Sequence, residues 1–408
     1  MHPKQIAIAD YTYSLPADKI ALHPLPERDK SKLLIYKNGK INEDIYKNLA
    51  AHLPEESLII FNDTKVIQAR ILFPKPSGAT IELFCLEPVD QPGGYGIAMN
   101  KTKSVEWKCM IGGASKWKSG ALEKKFYIDR TEVMLTAMLK RKAEDAYVTE
   151  FSWQPDHFTF AEILELAGET PLPPYIKREV TSDDKERYQT IYASHEGSVA
   201  APTAGLHFTD EIFSSLKNKK IETDFVTLHV SAGTFKPVKT KIIGDHEMHA
   251  EWIEINIKDI KKLLKHIPGN IIAVGTTSLR LLESLYWMGV KTFLNPTCNE
   301  EHLAIKQWEV FESPLANQSV DAELSLRSLL KWMTLNNKQT LFIKTQIIIL
   351  PGYDFKISKA LVTNFHQPNS TLLLLVAAVV GNDWKKIYEY ALENNFRFLS
   401  YGDGCLIF

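Results

Sequence analysis

The chain has 408 residues, 45% hydrophobic and 24% charged, and 48 basic against 49 acidic side chains leave a net charge of −1. That composition excludes disorder, collagen and coiled coil, and the length allows roughly two or three domains with a substantial core. A near-neutral balance also excludes a whole-chain basic footprint for nucleic acid, so any such contact has to come from local patches.

The four cysteines, Cys85, Cys109, Cys298 and Cys405, are scattered and form no C-x-x-C. This spacing argues against a zinc knuckle or a disulfide framework and fits a reducing cytosol. The N-terminus lacks the continuous apolar core of a signal peptide. The longest apolar run, Leu372 to Val380, falls far below the ~20 residues of a membrane span. A cytoplasmic protein without membrane contact is expected.

Between residues 10 and 30, Pro16, Pro24 and Pro26 break a short helical segment into a wrapping arm. Lys32 to Tyr36 and Leu58 to Phe61 are predicted strands, the second running into the turn or cap triplet Asn62-Asp63-Thr64. From about Gln68 to Trp153 the texture changes. Short runs of β-formers, at 79–86, 107–111, 126–128 and 147–153, alternate with Gly, Pro and Lys clusters. The pattern predicts a small all-β barrel or sandwich. Inside it, seven lysines between Lys101 and Lys125 face only Glu106 and Glu123, and Lys140-Arg141-Lys142 follows. Such runs read equally as solvated faces.

After Pro155 the pattern becomes mixed α/β. Thr159 caps a predicted helix to Ala167, striped by Phe160, Ile163 and Leu164. P-L-P-P-Y-I-K-R (171–178) forces an extended path that presents Tyr175, Lys177 and Arg178. Ser182 to Tyr192 is predicted as a charged helix. The stretch 199–235 joins V-A-A-P-T-A-G-L-H-F, a helix over 209–219, a strand over 225–230 and the small-residue turn Ser231-Ala232-Gly233-Thr234. Two histidines, His207 and His229, thus flank glycine-containing turns of the kind that let backbone N–H groups approach a ligand.

Further on, a strand at Glu251–Ile257 and a helix at Lys258–His266 precede an apolar strand, Asn270–Val274. That strand feeds Gly275-Thr276-Thr277-Ser278 and a helix over 279–287, a strand–turn–helix geometry that favours anions, with Arg280 in its first turn. A strand at Ala360–Thr363, the loop 364–368 and a helix capped by Asn369 or Ser370 repeat the plan. Strand–helix alternation points to an α/β sheet with ligand loops at strand ends.

Twelve histidines are present, and His207, His229, His246, His249 and His366 lie in turn-flanking blocks, where a near-neutral pKa suits acid–base work. Asp245-His246-Glu247-Met248-His249 has H-E-x-H rather than the H-E-x-x-H of a zincin, so no metal is expected. A nucleophile elbow, a P-loop and G-x-G-x-x-G are absent.

Ordered blocks over nearly the whole length then give the chain a resemblance. They include Y-S-L-P-A-D-K-I-A-L-H-P-L-P-E-R-D (13–29), F-N-D-T-K-V-I-Q-A-R (61–70), P-L-P-P-Y-I-K-R (171–178), V-A-A-P-T-A-G-L-H-F (199–208), V-T-L-H-V-S-A-G-T-F (226–235), H-E-M-H-A-E (246–251), A-V-G-T-T-S-L-R-L-L-E-S (273–284), P-G-Y-D-F-K (351–356) and L-V-T-N-F-H-Q-P-N-S-T-L-L (361–373). In these the chain resembles the S-adenosylmethionine:tRNA ribosyltransferase-isomerase family of queuosine biosynthesis. The resemblance implies an α/β main domain (1–67 and 156–408) with an inserted β-barrel domain (68–155). It implies transfer and isomerisation of the ribosyl moiety of S-adenosylmethionine onto a 7-aminomethyl-7-deazaguanine at the tRNA wobble position. The products are epoxyqueuosine-tRNA, adenine and methionine, with no metal, and a monomer is expected.

That chemistry needs a base to form an ylide beside the sulfonium, an acid for the departing adenine and a clamp for the methionine carboxylate. The catalytic candidates are His207, His229 and His366. Substrate contacts are expected from Asp63, Thr203, Gly205, Gly233, His246, His249, Thr276, Thr277, Arg280 and Asn364. tRNA phosphates are expected on Lys177, Arg178, Lys116 and Lys118.

The chain departs from the family's pattern at Ser231, where Gly is common, and at Lys32 and Gln68. Residues 289–345 differ in length and character. There Trp308, Phe311 and Trp332 suggest an added packed helix pair, and the sequence reads as a divergent branch. Two readings of other classes stay open: a paralogue that binds RNA without catalysis, and a S-adenosylmethionine-dependent enzyme with a different acceptor.

Overall fold

The computed structural model describes residues 2–75, 77–89, 95–143, 146–231 and 237–408. In chain order these form Lys32–Lys37 (β1), Lys40–Ile45 (β2), Leu49–His52 (α1), Leu58–Asn62 (β3), Thr64–Val66 (β4), Arg70–Pro74 (β5), Thr80–Pro88 (β6), Tyr95–Met99 (α2), Ser104–Gly112 (β7), Leu122–Ile128 (β8), Thr131–Lys142 (β9) and Tyr147–Gln154 (β10). Then come Phe160–Ala167 (α3), Gly168–Glu169 (β11), Asp184–Arg187 (α4), His195–Ser198 (β12), Asp210–Asn218 (α5), Glu222–His229 (β13), Glu251–Asn256 (β14) and Ile257–His266 (α6). The chain ends with Ile271–Val274 (β15), Gly275–Leu294 (α7), Ala322–Leu335 (α8), Thr340–Thr345 (β16), Ala360–Asn364 (β17), Thr371–Val380 (α9), Trp384–Glu393 (α10) and Gly404–Ile407 (β18).

A nine-stranded mixed sheet has the order β16-β14-β13-β3-β15-β17-β18-β1-β2. β15 is apolar at every position, and β3 is apolar up to Asn62, because both faces of the sheet are covered there. Along β3, Leu58 and Ile60 join a core with α7, α8, α9 and α10, while Ile59 and Phe61 join a second core with α1 and α5. β15 splits in the same way, Ile271 and Ala273 to one side and Ile272 and Val274 to the other. The four neighbours β13, β3, β15 and β17 are mutually parallel, so their carboxyl ends share one edge.

The second sheet is antiparallel and seven-stranded, in the order β11-β5-β6-β7-β10-β9-β8. It curls around its own core, which includes Phe73, Leu83, Trp107, Leu135 and Phe151. Register shifts between Cys85 and Glu87 and between Val148 and Thr149 assist the bend. Its outer strands do not pair with each other among the described residues, so it is an open half-barrel where a barrel was expected. The apolar stripe of α3, Phe160, Ile163, Leu164 and Ala167, packs into its core, and Lys124 Nζ of β8 donates to the Ala167 carbonyl at 2.7 Å. The two sheets meet where Trp252 of β14 stacks on Phe342 of β16 with ring centroids 4.3 Å apart, both packed against the half-barrel core.

Three local expectations need correction. The charged helix over 182–192 shortens to α4, because the Gln189 side chain takes the main chain of Val66 with bonds of 3.0 and 2.7 Å, which ties the following residues to β4. The Gly275-Thr276-Thr277-Ser278 turn is itself the first turn of α7, with Gly275 at φ +86°. The helix pair over 289–345 is α7 against α8, with Trp332 in α8; Trp308 and Phe311 belong to a 3-10 turn instead. A Cβ at Gly289 would lie 2.2 Å from Ser325 Oγ, so the glycine sets how closely these helices approach.

Candidate active site

At the carboxyl edge of the four parallel strands each chain exit supplies polar side chains, as open α/β sheets do. β13 ends in His229, β3 in Asn62 and Asp63, β15 in Gly275 and Thr276, and β17 in Asn364. Asn62 ties two of these ends together: its amide donates to the Leu228 carbonyl at 2.9 Å and accepts from the Leu228 N–H at 3.0 Å.

Between the ends of β15 and β17 lies a cleft with about 710 Å³ of empty space, its mouth included. Thr203, Thr276, Thr277, Asn364 and His366 line it. The Thr203 hydroxyl donates to Asn364 Oδ1 at 2.7 Å, which turns the Asn364 amide nitrogen towards His207 Nε2, 3.4 Å away. His207 therefore sits behind Asn364, stacked on Tyr46 at 4.2 Å, rather than on the cleft wall. Thr363 Oγ1 and His366 Nε2 are 2.8 Å apart. The buried hydroxyl of Thr277 has no partner among the described residues, although it opens a 20-residue helix whose first amides and dipole favour a negative group. Opposite, Tyr175 and Ser400 close the wall with hydroxyls 2.6 Å apart.

A second pocket, with about 530 Å³ of empty space, its mouth included, shares Leu372 with the first. His246 and His249 line it, together with Arg280 and Glu251, which form a buried ion pair. Arg280 Nε also donates to the Ile347 carbonyl at 3.1 Å, and the Ser231 N–H donates to Glu251 Oε1 at 3.2 Å. A third cavity shares Ser231, His249 and Glu251 with the second and reaches His229, whose ring stacks on Tyr95 at 4.6 Å. His229 Nδ1 is buried without a partner among the described residues.

Burial holds all three candidate catalytic histidines neutral: it pushes His207 and His366 down to about 3 and His229 down to about 4. They are uncharged at neutral pH, and burial opposes the protonation of each ring. Burial also lowers His246, with His249 adding to the effect.

Other candidates lie elsewhere than expected. Gly205 makes room for a side chain, since a Cβ there would meet Tyr192 Oη at 2.0 Å. Asp63 is taken by the protein: it accepts from Thr227 Oγ1 at 2.8 Å and from Ser194 Oγ at 3.1 Å and bonds His195. Gly233 falls outside the described residues. Arg178 forms two 2.6 Å bonds to buried Asp184 and another to the Leu22 carbonyl, so its guanidinium is spent within the fold. Burial opposes ionisation of Asp184, yet Arg178, the Thr181 N–H and Tyr401 together hold it at about 2. Lys177, Lys116 and Lys118 are exposed. Much of the basic run around them is neutralised by acidic groups, as in Lys108–Glu87 at 2.6 Å, Lys125–Glu132 at 3.2 Å and Lys103–Asp156 at 3.7 Å.

Glu251 and His195 escaped the sequence reading. Glu251 closes the H-E-M-H-A-E block and showed no sign of its partner in another block. His195 sits in a plain polar stretch, and only the β4–β12 pairing brings it to Asp63.

A family profile described as queuosine biosynthesis protein matches residues 8–407. The chain belongs to that family. An S-adenosylmethionine:tRNA ribosyltransferase-isomerase of Halothermothrix orenii is 35% identical over 408 residues, 98% of this chain and 99% of the relative. Proteins of the same name from Geotalea uraniireducens and Thermotoga maritima are each 35% identical at the same coverage. A crystal structure of S-adenosylmethionine tRNA ribosyltransferase from Thermotoga maritima is 26% identical and covers 98% of this chain and 100% of that chain. Its TM-score of 0.45 is too low to bear on how the two sheets are arranged. No group of three or more His, Cys, Asp or Glu among the described residues could hold a metal ion. No helix among them is long and apolar enough to cross a membrane.

Proposed function

We propose that the protein is an S-adenosylmethionine:tRNA ribosyltransferase-isomerase whose acceptor is 7-aminomethyl-7-deazaguanine at the tRNA wobble position. The observation that carries this reading is the row of linked cavities along the carboxyl edge of β13, β3, β15 and β17, lined by the family's own blocks. A sulfonium acidifies the adjacent C5′, so the protein needs a neutral base near the nucleoside. His366 meets that need in the first cleft. In the tautomer whose Nε2–H donates to Thr363 Oγ1, the lone pair is on Nδ1. His229, neutral and with an unpartnered Nδ1, is the second proton acceptor, on the side of the half-barrel. His207 positions Asn364 for the departing adenine.

The half-barrel is proposed as an inserted domain spanning 68–155, completed by α3 and β11 from the chain that follows, and residues 289–345 as a variable insertion. Exposed Lys116, Lys118 and Lys177 supply phosphate contacts.

The test is incubation with labelled S-adenosylmethionine and tRNA carrying the aminomethyl-deazaguanine. Adenine release together with label on the tRNA supports the reading. Adenine alone means a different acceptor. Neither signal, from folded protein, favours an RNA-binding protein without catalysis.

A further inference from the structure

The second cavity carries unused chemistry. Arg280 lies on the first turns of α7 and Glu251 at the start of β14, and their ion pair is buried. The pair leaves one guanidinium nitrogen over: Arg280 Nη2 is buried and has no hydrogen-bond partner among the described residues. The Ser231 hydroxyl, in the same cavity, is also buried and has no partner among the described residues. An orphaned buried donor costs about 1–3 kcal/mol, more when charged, so two in one cavity mark a place built for something else to accept from them. The rest of the wall sets aliphatic Ile347, Ile349, Leu372 and Leu375 beside His246 and His249. Leu372 also borders the first cleft, so the two spaces adjoin.

We propose that this cavity holds the α-amino-carboxylate end of the sulfonium substrate, with its carboxylate on Arg280 Nη2 and Ser231 Oγ, its ammonium on Glu251, and its aliphatic chain against the isoleucine wall. This deepens the ribosyl-donor reading and rests on it. A buried cation and anion side by side match a zwitterion laid head to tail, which satisfies both charges without adding net charge to the interior. The nucleoside then occupies the first cleft and the sulfonium lies at the Leu372 boundary, with His366 on the nucleoside side. Arg280 and Glu251 thereby clamp the group that leaves as methionine.

Calorimetry with two probes tests the assignment. S-Adenosylmethionine carries the amino-carboxylate, and 5′-methylthioadenosine keeps the nucleoside and sulfur without it. Arg280→Lys is expected to weaken S-adenosylmethionine by about tenfold or more, and Ser231→Ala by about threefold, while neither changes methylthioadenosine binding. Ser231→Ala removes only an unpartnered hydroxyl, so its melting temperature holds, which keeps the test valid should Arg280→Lys unfold. Equal losses for both probes, or no loss of S-adenosylmethionine in Ser231→Ala, overturn the subsite and leave the ribosyl-donor reading standing. Wild-type protein that binds neither probe overturns the ribosyl-donor reading and the subsite together.

Discussion

His195 Nδ1 lies 3.0 Å from Asp63 Oδ2, so an exposed imidazole is tied to a buried carboxylate at the end of β3. The hydrogen bond to Asp63 raises the His195 pKa, more than burial lowers it, and the nearby Glu254 and Asp259 add to the rise. Its positive charge in turn helps keep His229 neutral, second to burial. For a raised histidine, the stabilisation is fully present below the unfolded value of 6.5 and is lost as pH climbs through the folded one. Asp63→Asn should move the His195 titration, read by NMR of the imidazole protons, back down towards 6.5. An unmoved titration would show that Asp63 does not set this charge.

The three buried histidines predict the opposite sign. Their folded pKa values, about 3 for His207 and His366 and about 4 for His229, lie below the unfolded value of 6.5. The unfolded chain therefore binds protons that the folded chain refuses. Stability is intact above pH 6.5 and falls as pH drops towards 4, by about 2 kcal/mol per histidine at pH 5. Urea unfolding at pH 7.5 and 5.0 gives the difference for wild type, and His366→Gln should narrow it by about 2 kcal/mol. An unchanged difference would place the His366 titration in the ordinary range.

Gly205 predicts a packing effect where the sequence suggested a ligand. A methyl there would reach 2.0 Å from Tyr192 Oη and 2.9 Å from Thr190 Cγ2. Gly205→Ala should cost about 1–3 kcal/mol in urea unfolding. The Tyr192 hydroxyl is buried with Thr190 as its polar neighbour and makes no well-formed hydrogen bond among the described residues, so Tyr192→Phe alone should be close to neutral, and the double variant should recover much of the loss. Failure of that rescue would mean the glycine serves something other than Tyr192.

The fold was largely legible because its signals are local. Continuous apolar runs at Leu58–Phe61 and 271–274 mark doubly covered strands, and the capping box of Thr159 and Glu162 is written in four residues. The histidine blocks were legible as strand-end turns, since glycine and hydroxyl residues collect there. Charge pairing was not. Arg280 reads as a free anion clamp until β14 brings Glu251 alongside it, 29 residues away in the chain. Nor does β9 stand out, because Lys140, Arg141 and Lys142 read as a basic run while Glu150 and Glu106 arrive from neighbouring strands.

That same pairing divides the basic residues into two groups with different responses to salt. Lys116, Lys118 and Lys177 are exposed and show no ion pair among the described residues, so they remain available to phosphates. Arg178 is committed to Asp184. Each phosphate contact adds about 0.7–0.9 to the slope of log affinity against log salt. Measured by filter binding to tRNA at several salt concentrations, Lys116→Ala, Lys118→Ala and Lys177→Ala should each reduce that slope by about 0.7–0.9 while leaving the melting temperature in place. Arg178→Met should leave the slope as it is and lower the melting temperature, because it strands the buried Asp184 carboxylate, a change that costs about 3–5 kcal/mol at buried pairs. A slope that falls with Arg178→Met in a stable protein would show instead that the guanidinium leaves Asp184 to meet the tRNA.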